Sequence, residues 1–402
     1  MRVLTFTSLF PNASQPLLGI FVAHRVAALA RRPGIAVEVV APVPYFPRCV
    51  PWSSRDFFAL IPRQEKFGNL TVHHPRYLLL PKVSMFLHGW LMYFGSLSVA
   101  RRLHRSAAFD CIDAHYVYPD GFAAALLGKL LRIPVITSAR GTDINLFPSF
   151  RSIRPQVCRT LERAAGIVAV SAALKEEMKK LGVPGAKIEV IPNGIDTEEF
   201  HRMDRKQARR HLGLPEDGPI LLSVGGLAHH KGFHLLIAAV AELAPRHPDL
   251  KLYIVGDGAY RADLEKLIRD RGIERRVVLA GSQPNEQLVY WYNAADITCL
   301  ASLREGMPNV LLESLACGTP VVATRVGGVP EVIRSAGMGV LVDPDSRSIA
   351  GGLECALGAR WDREALAHET SKRTWDVVAA EVEDYLTSSV AASSRGTESK
   401  RR

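Results

Sequence analysis

The 402-residue sequence lacks any run of about 18 consecutive apolar residues, which leaves no segment patterned as a membrane-spanning helix. It also lacks the basic start and apolar centre of a secretion signal, because Arg2-Val3-Leu4-Thr5-Phe6-Thr7 reads directly as a strand. Cysteine is sparse. Six are scattered at 49, 111, 158, 299, 317 and 355, with no C-x-x-C pair. This excludes a disulfide framework and suggests no metal site. Buried free thiols in a reducing cytoplasm are expected. No RNP, zinc-finger or helix-turn-helix signature is present, which argues against a nucleic-acid reader.

What is present is the composition of a globular protein, 48% hydrophobic and 22% charged, on a chain too long for one ordinary core. Two domains are expected. The charge is uneven: residues 1–197 carry 24 Lys and Arg against 12 Asp and Glu, and the remainder carries 26 against 28. The whole excess of +10 therefore lies in the first half, which suits nucleic acid, anionic lipid or a phosphorylated substrate.

Strand and helix patterns alternate throughout, as in α/β proteins with parallel sheets. In the first half, strands are expected at Arg2–Thr7, Ala36–Ala41, Cys111–His115, Pro134–Ser138, Ile167–Val170 and Lys187–Ile191. Residues 42–106 interrupt this rhythm and read as irregular, basic and aromatic. Pro192-Asn193-Gly194-Ile195-Asp196 is a turn cluster and the expected domain boundary. The alternation then restarts at Ile220–Val224. Past Val390 the chain is rich in Ala, Ser, Gly and Lys, and disorder is expected there.

The most informative stretch runs from Glu305 to Glu313. Gly306 and Pro308 form a turn with Met307 between them, and Asn309 reads as an N-cap. The amides of Val310, Leu311 and Leu312 would then face outward, a favourable site for phosphate. Glu313 inside the helix and Glu305 before it could hold sugar hydroxyls on either side of that phosphate. A ribose–diphosphate–sugar ligand fits this order. The bland alternative is a capped helix with two solvated carboxylates. Gly225-Gly226-Leu227-Ala228-His229-His230-Lys231-Gly232 also follows a strand and opens a helix, with Lys231 as a cation for a diphosphate. Val255-Gly256-Asp257-Gly258 ends another strand.

These residues resemble retaining glycosyltransferases of the GT-B fold, family 4. Glu305 to Glu313 is similar to the E-x7-E motif of that family, and Gly225 to Gly232 to its G-R-L-x-x-x-K-G segment, with Gly226 where the arginine usually stands. His229, His230 or Arg304 are the candidate substitutes. Gly256 matches the family's glycine loop. His115 ends a strand where a family histidine contacts the donor sugar. Arg140-Gly141-Thr142-Asp143 resembles the H-G-x-D loop, with Arg140 at the histidine position, and Pro16 to Phe21, including Gly19, resembles the acceptor loop.

The resemblance implies two doubly wound Rossmann-like domains facing across a cleft. Residues 1–193 would bind the acceptor, residues 194–371 the nucleotide sugar, and the helix at 372–389 would cross back to the first domain. His115 and Glu305 would be catalytic. Gly225, Gly226, Lys231, Gly256, Met307 to Leu311 and Glu313 would bind the donor, and Gly19, Phe21, Arg140 and Asp143 the acceptor. The implied reaction is glycosyl transfer with retained configuration and without a cofactor. A lipid-diphosphate-linked glycan is the implied acceptor, on the resemblance of Phe10-Pro11 and Ala41 to Pro47 to cell-surface polysaccharide transferases. An epimerase on the same scaffold is the rival. Asp343-Pro344-Asp345 reads as a helix cap rather than a metal motif. The stretch Lys82 to Phe94, trailed by Arg101, Arg102 and Arg105, suits either an anionic membrane surface or a buried helix with a basic end.

Overall fold

The computed structural model describes residues 1–46, 55–79 and 85–399. The chain divides into two compact units, Met1–Asn193 with Trp375–Arg402, and Gly194–Thr374.

The first unit is built on an eight-stranded sheet. Its order from one edge is Ile188–Val190, Gly166–Ala169, Val135–Ala139, Cys111–His115, Arg2–Phe6, Ala36–Val40, Leu70–His73, Gln64–Phe67. The last strand alone is antiparallel to its neighbour. Alternation decides what covers each face. Val3, Cys111, Ile136 and Val168 pack with Ala28 and Leu29 of helix Ile20–Ala30 and with Val378, Val382 and Leu386 of the last helix. Leu4, Ile112, Ala114 and Val135 on the other face pack with Met92 and Ala100 of helix His88–Ser106 and with Ala123 and Leu127 of helix Phe122–Leu131.

Three expectations need correction here. Residues 42–106 are not wholly irregular: they supply a hairpin, Gln64–Phe67 with Leu70–His73, that extends the main sheet. Its turn uses Gly68 at φ 53°, and the local pattern hid it because no residue of its first strand is buried. The stretch past Val390, where disorder was expected, is helical as far as Ser399, and residues 400–402 lie outside the described residues. Helix Trp375–Ser399 runs through it, with Val390 against the core and the Ser394 hydroxyl donating to the Val390 carbonyl at 3.1 Å. Of the thiols, Cys111, Cys299 and Cys317 are buried as expected, whereas Cys355 is exposed and Cys49 lies outside the described residues.

The second unit holds a six-stranded parallel sheet in the order Val277–Gly281, Lys251–Val255, Ile220–Val224, Ile297–Leu300, Val321–Thr324, Gly339–Val342. The chain direction across the sheet reverses at Ile220–Val224. In such sheets, ligands bind at the carboxyl ends of the strands beside that reversal. There the turns after Val224 and Val255 run backbone against backbone. Gly256 has φ 141°, and a Cβ added to it would lie 2.0 Å from the Gly225 carbonyl oxygen. Gly256→Ala is expected to lower the melting temperature by roughly 5–10 °C, from ~2–3 kcal/mol of clash and backbone strain. An unchanged thermal melt would show that the two turns do not touch.

Candidate active site

In the second unit, three carboxyl-end turns converge. The Gly225 amide donates to the Val255 carbonyl at 2.9 Å and the Leu227 amide to the Asp257 carbonyl at 3.0 Å. The paired glycine turns therefore present backbone rather than side chains. His229–Lys231 forms a single 3-10 turn, closed by Gly232 at φ 68°. Lys231 thus stands before helix Phe233–Leu243 rather than within its first turn. Gly232 lies so close to the Ala301 carbonyl that a Cβ would sit 1.8 Å from it, and the Leu303 amide donates to the His230 carbonyl at 2.8 Å. The lysine turn and the loop before Glu305 are one packed unit.

That packing brings Lys231 Nζ to 2.7 Å from Glu305 Oε1, which also accepts from the Ser302 hydroxyl at 2.7 Å. The Glu305 side chain is 10% exposed and that of Lys231 27%. Gly327, at φ 49°, supports the Glu305 backbone, since any Cβ there would lie 2.0 Å from the Glu305 carbonyl oxygen. Ser302 was not singled out by sequence, although it stands one turn before Glu305.

Helix Asn309–Ala316 follows. Asn309 is its first residue, not its cap; Pro308 occupies the capping position with no side-chain bond. The expected row of outward amides is also shorter, because the Leu311 amide donates to the Pro308 carbonyl at 3.2 Å. Proline fixes its own φ and so favours that tight first turn. The Val310 amide has no acceptor among the described residues.

Glu313 is half-buried and accepts from the Tyr292 hydroxyl at 2.7 Å. Burial pushes its carboxyl up to about 7, with Glu199 adding to the rise and the Tyr292 bond opposing it. A carboxyl raised in this way is ionised above that pH and takes up a proton as the pH falls through it. Only the ionised form accepts two hydroxyl bonds. Nucleotide affinity is therefore expected to fall up to ~10-fold per unit below about pH 7, and Glu313→Gln to flatten the profile. Titration calorimetry across pH 5.5–8 reads this; a flat wild-type profile would remove Glu313 from the ribose.

Gly226 has open space around it, the nearest atom to an added Cβ being the Asp257 carbonyl oxygen at 3.9 Å. Packing thus does not require glycine there. Of the substitute cations, His229 stacks on His234 at 4.6 Å and against Tyr260. His230 is pushed down by burial and by Lys231 and Arg304, so it is neutral. Arg304 remains exposed.

In the first unit, His115 is fully buried at a strand end. Its Nε2 donates to Asp113 Oδ2 at 3.0 Å, and its Nδ1 accepts from Arg140 Nη2 at 2.5 Å. Burial lowers the imidazole to about 4, with Arg140 adding to that and Asp113 opposing it. Burial alone would raise Asp113, but His115 and the Arg25 guanidinium at 3.6 Å hold it far below the usual carboxylate range. Both ring nitrogens of His115 are thus engaged, and the donor-sugar contact expected for it rests on the family resemblance. Arg140 is the outer member of this network, donating to Asn193 Oδ1 at 3.1 Å and lying 5.5 Å over the Phe21 ring. Burial brings it down to about 9, helped by Arg25.

Asp143 is likewise not placed to meet a ligand. Fully buried, it accepts from the amides of Val117 at 2.8 Å, Gly141 at 2.8 Å and Arg140 at 3.1 Å. It organises the loop that carries Arg140. Gly19, at φ 62°, starts helix Ile20–Ala30 so close to the Leu9 carbonyl that a Cβ would lie 2.3 Å away. Sequence reasoning missed Arg25, whose signal was a cation within the apolar run Val22–Val26. It also missed Asp120, buried against the Ser8 amide and hydroxyl and raised by that burial to about 7. Asp345 caps helix Ser346–Gly358 by accepting from the Ser348 amide at 2.9 Å, as the capping reading of Asp343-Pro344-Asp345 expects.

The sequence model of the Glycosyltransferase Family 4 region matches residues 19–199, and that of Glycosyl transferases group 1 matches residues 204–373. A Bacillus subtilis (strain 168) protein named a teichuronic acid biosynthesis glycosyltransferase, TuaC, is 30% identical over 334 residues, covering 82% of each chain. The chain belongs to the group 1 glycosyltransferases of family 4. A D-inositol 3-phosphate glycosyltransferase of Acidothermus cellulolyticus is 39% identical over 74% of this chain and 71% of that one. Among solved structures, the sucrose-phosphate synthase of Thermosynechococcus elongatus superposes with a TM-score of 0.79 at 21% identity, over 97% of this chain and 99% of that one. Anabaena HepE in complex with UDP superposes at 0.71 and 20% identity, over 96% and 100%. The fold is GT-B, with two Rossmann-like units. No described helix is long and apolar enough to cross a membrane.

Proposed function

We propose that this family 4 enzyme transfers a glycosyl group from a nucleoside diphosphate sugar to a hydroxyl of a lipid-diphosphate-linked glycan. The anomeric configuration is retained and no metal takes part. The observation that carries the reading is the Lys231–Glu305 pair, anchored by Ser302 between two bare glycine turns and the start of helix Asn309–Ala316. Lys231 moves from Glu305 to the diphosphate when donor enters, and Arg304 supplies the second cation that Gly226 does not. Glu305, released, turns to the hydroxyls of the transferred ring, and Glu313 holds the ribose. Negative charge developing on the leaving diphosphate is met by Lys231 and the Val310 amide, a fixed electrostatic arrangement that needs no reorganisation during the reaction. In the first unit, Phe21 and Arg140 form the acceptor-side surface, with His115 holding Arg140 in place.

Supporting the donor class, the superposed Anabaena protein holds UDP. The name of the Bacillus relative supports a cell-envelope glycan as acceptor. The test is a thermal-shift screen over UDP-, GDP-, ADP- and dTDP-sugars, followed by product analysis with and without a lipid-linked acceptor. One donor series is expected to stabilise the protein, and NMR of the product to show the donor's anomeric configuration. Activity is expected to survive EDTA. Loss on chelation, restored by Mn²⁺ or Mg²⁺, would contradict the assignment of the diphosphate to Lys231 and the helix start.

A further inference from the structure

We infer that one helical layer of the first unit is a docking face for an anionic lipid bilayer. The inference rests on the proposed lipid-linked acceptor for its biological sense, but its evidence is independent of the donor site. Helix His88–Ser106 packs on helix Phe122–Leu131, which packs on helix Arg154–Arg163. The three carry a single carboxylate, Glu162.

The first of these helices divides its outer stripe by chemistry. Met92, Ser96 and Ala100 point inward, while Trp90 is 41% and Phe94 63% exposed. About two to three turns beyond Phe94, the helix carries exposed Arg101, Arg102 and Arg105. The preceding 3-10 turn, Met85–Leu87, adds three more exposed apolar side chains. It is tied to the third helix by Gln156, whose amide donates to the Phe86 carbonyl at 2.7 Å. Next in the layer, Lys129, Leu130 and Arg132 are exposed at the end of the second helix. The third helix follows exposed Phe150 and presents Arg154, Arg159 and Arg163.

Several cations elsewhere in this unit are paired with carboxylates. Arg31 pairs with Asp376 at 2.7 Å and Arg32 with Glu383 at 2.5 Å, on the opposite face of the sheet. Lys179 and Lys180 pair with Glu176 and Glu177 along their own helix. None of the layer's exposed cations forms an ion pair among the described residues. Unpaired cations attract phosphate in any form. The exposed aromatic and aliphatic side chains beside these cations decide for a bilayer, because they have hydrocarbon to enter there and only water beside a nucleic-acid backbone.

The test uses the full chain with phosphatidylcholine vesicles, with or without phosphatidylglycerol, read by co-sedimentation at rising salt. Binding is expected only with the anionic lipid and to weaken as salt rises. Replacing Arg101, Arg105 and Arg159 together by Ala is expected to weaken it roughly 100-fold, and Phe94→Ser to weaken it as well. Equal binding to neutral vesicles, or full binding by the triple variant, would overturn the inference. So would a single-stranded oligonucleotide bound as tightly by Phe94→Ser as by the parent chain. UDP-induced thermal stabilisation, read on the same samples, confirms that the variants are folded. A chain that meets vesicles but no nucleotide would remove the donor assignment and leave this face standing.

Discussion

Glu305→Gln is expected to lower kcat roughly 30- to 1,000-fold while leaving the binding of free nucleoside diphosphate intact. Before donor enters, the carboxylate is held beside Lys231 by the Ser302 hydroxyl at 2.7 Å and by Gly327 beneath its backbone. A contact that orients the transferred ring matters most in the transition state, and its loss falls on kcat rather than on KM. One charge-assisted contact of about 2–4 kcal/mol corresponds to the range above. Glutamine keeps the shape and can still accept from Ser302, but it no longer competes for Lys231. Free nucleoside diphosphate is therefore expected to bind as well as before, or slightly better. Steady-state kinetics with a nucleotide titration decides it. Near-native turnover, or outright loss of nucleotide binding, would show that the roles of Glu305 and Glu313 are divided wrongly.

Lys231→Ala is expected to reduce kcat by about 10²- to 10³-fold and to weaken donor binding as well, since the proposed contact of this cation with the diphosphate would act in both ground and transition states. The single variant also leaves Glu305, 10% exposed, without its counter-ion. Two charges that share one contact do not contribute independently. The double variant Lys231→Ala/Glu305→Gln is thus expected to lose less than the product of the single losses, with a coupling of about 1–3 kcal/mol. Strict additivity in that cycle would mean that the 2.7 Å pair is not formed by the free enzyme in solution.

Much of the candidate site in the second unit was legible because its parts are local. A glycine turn after a strand, or a proline-marked helix start, is written within about ten residues, and Glu305 and Glu313 fall within one such stretch. The detail of that helix start was less legible. Whether Asn309 caps or enters the helix, and which amide Pro308 captures, turns on one residue of backbone geometry that composition does not encode. The first unit was harder still. His115, Asp143 and Arg140 were found as residues, but their partners were not, because a strand-end histidine and a loop aspartate look alike in sequence whether they face a ligand or the core. In the fold His115 has both nitrogens engaged, Asp143 gathers three amides, and Arg140 bridges His115 to Asn193.

By itself, the sequence determined the class of the protein: two alternating α/β units, the turn that divides them, the carboxyl-end positions of the glycine turns, and the basic bias of the first half. These follow from periodicity and turn chemistry, which act over a few residues. Tertiary structure alone decided the pairings. Lys231 and Glu305 stand 74 positions apart, and Tyr292 and Glu313 stand 21 apart. The unpaired basic layer is assembled from three helices, with other segments between them. Such contacts depend on the order of strands in a sheet and on which helix covers which face. That order is set by burial of the whole core, so no local pattern records it.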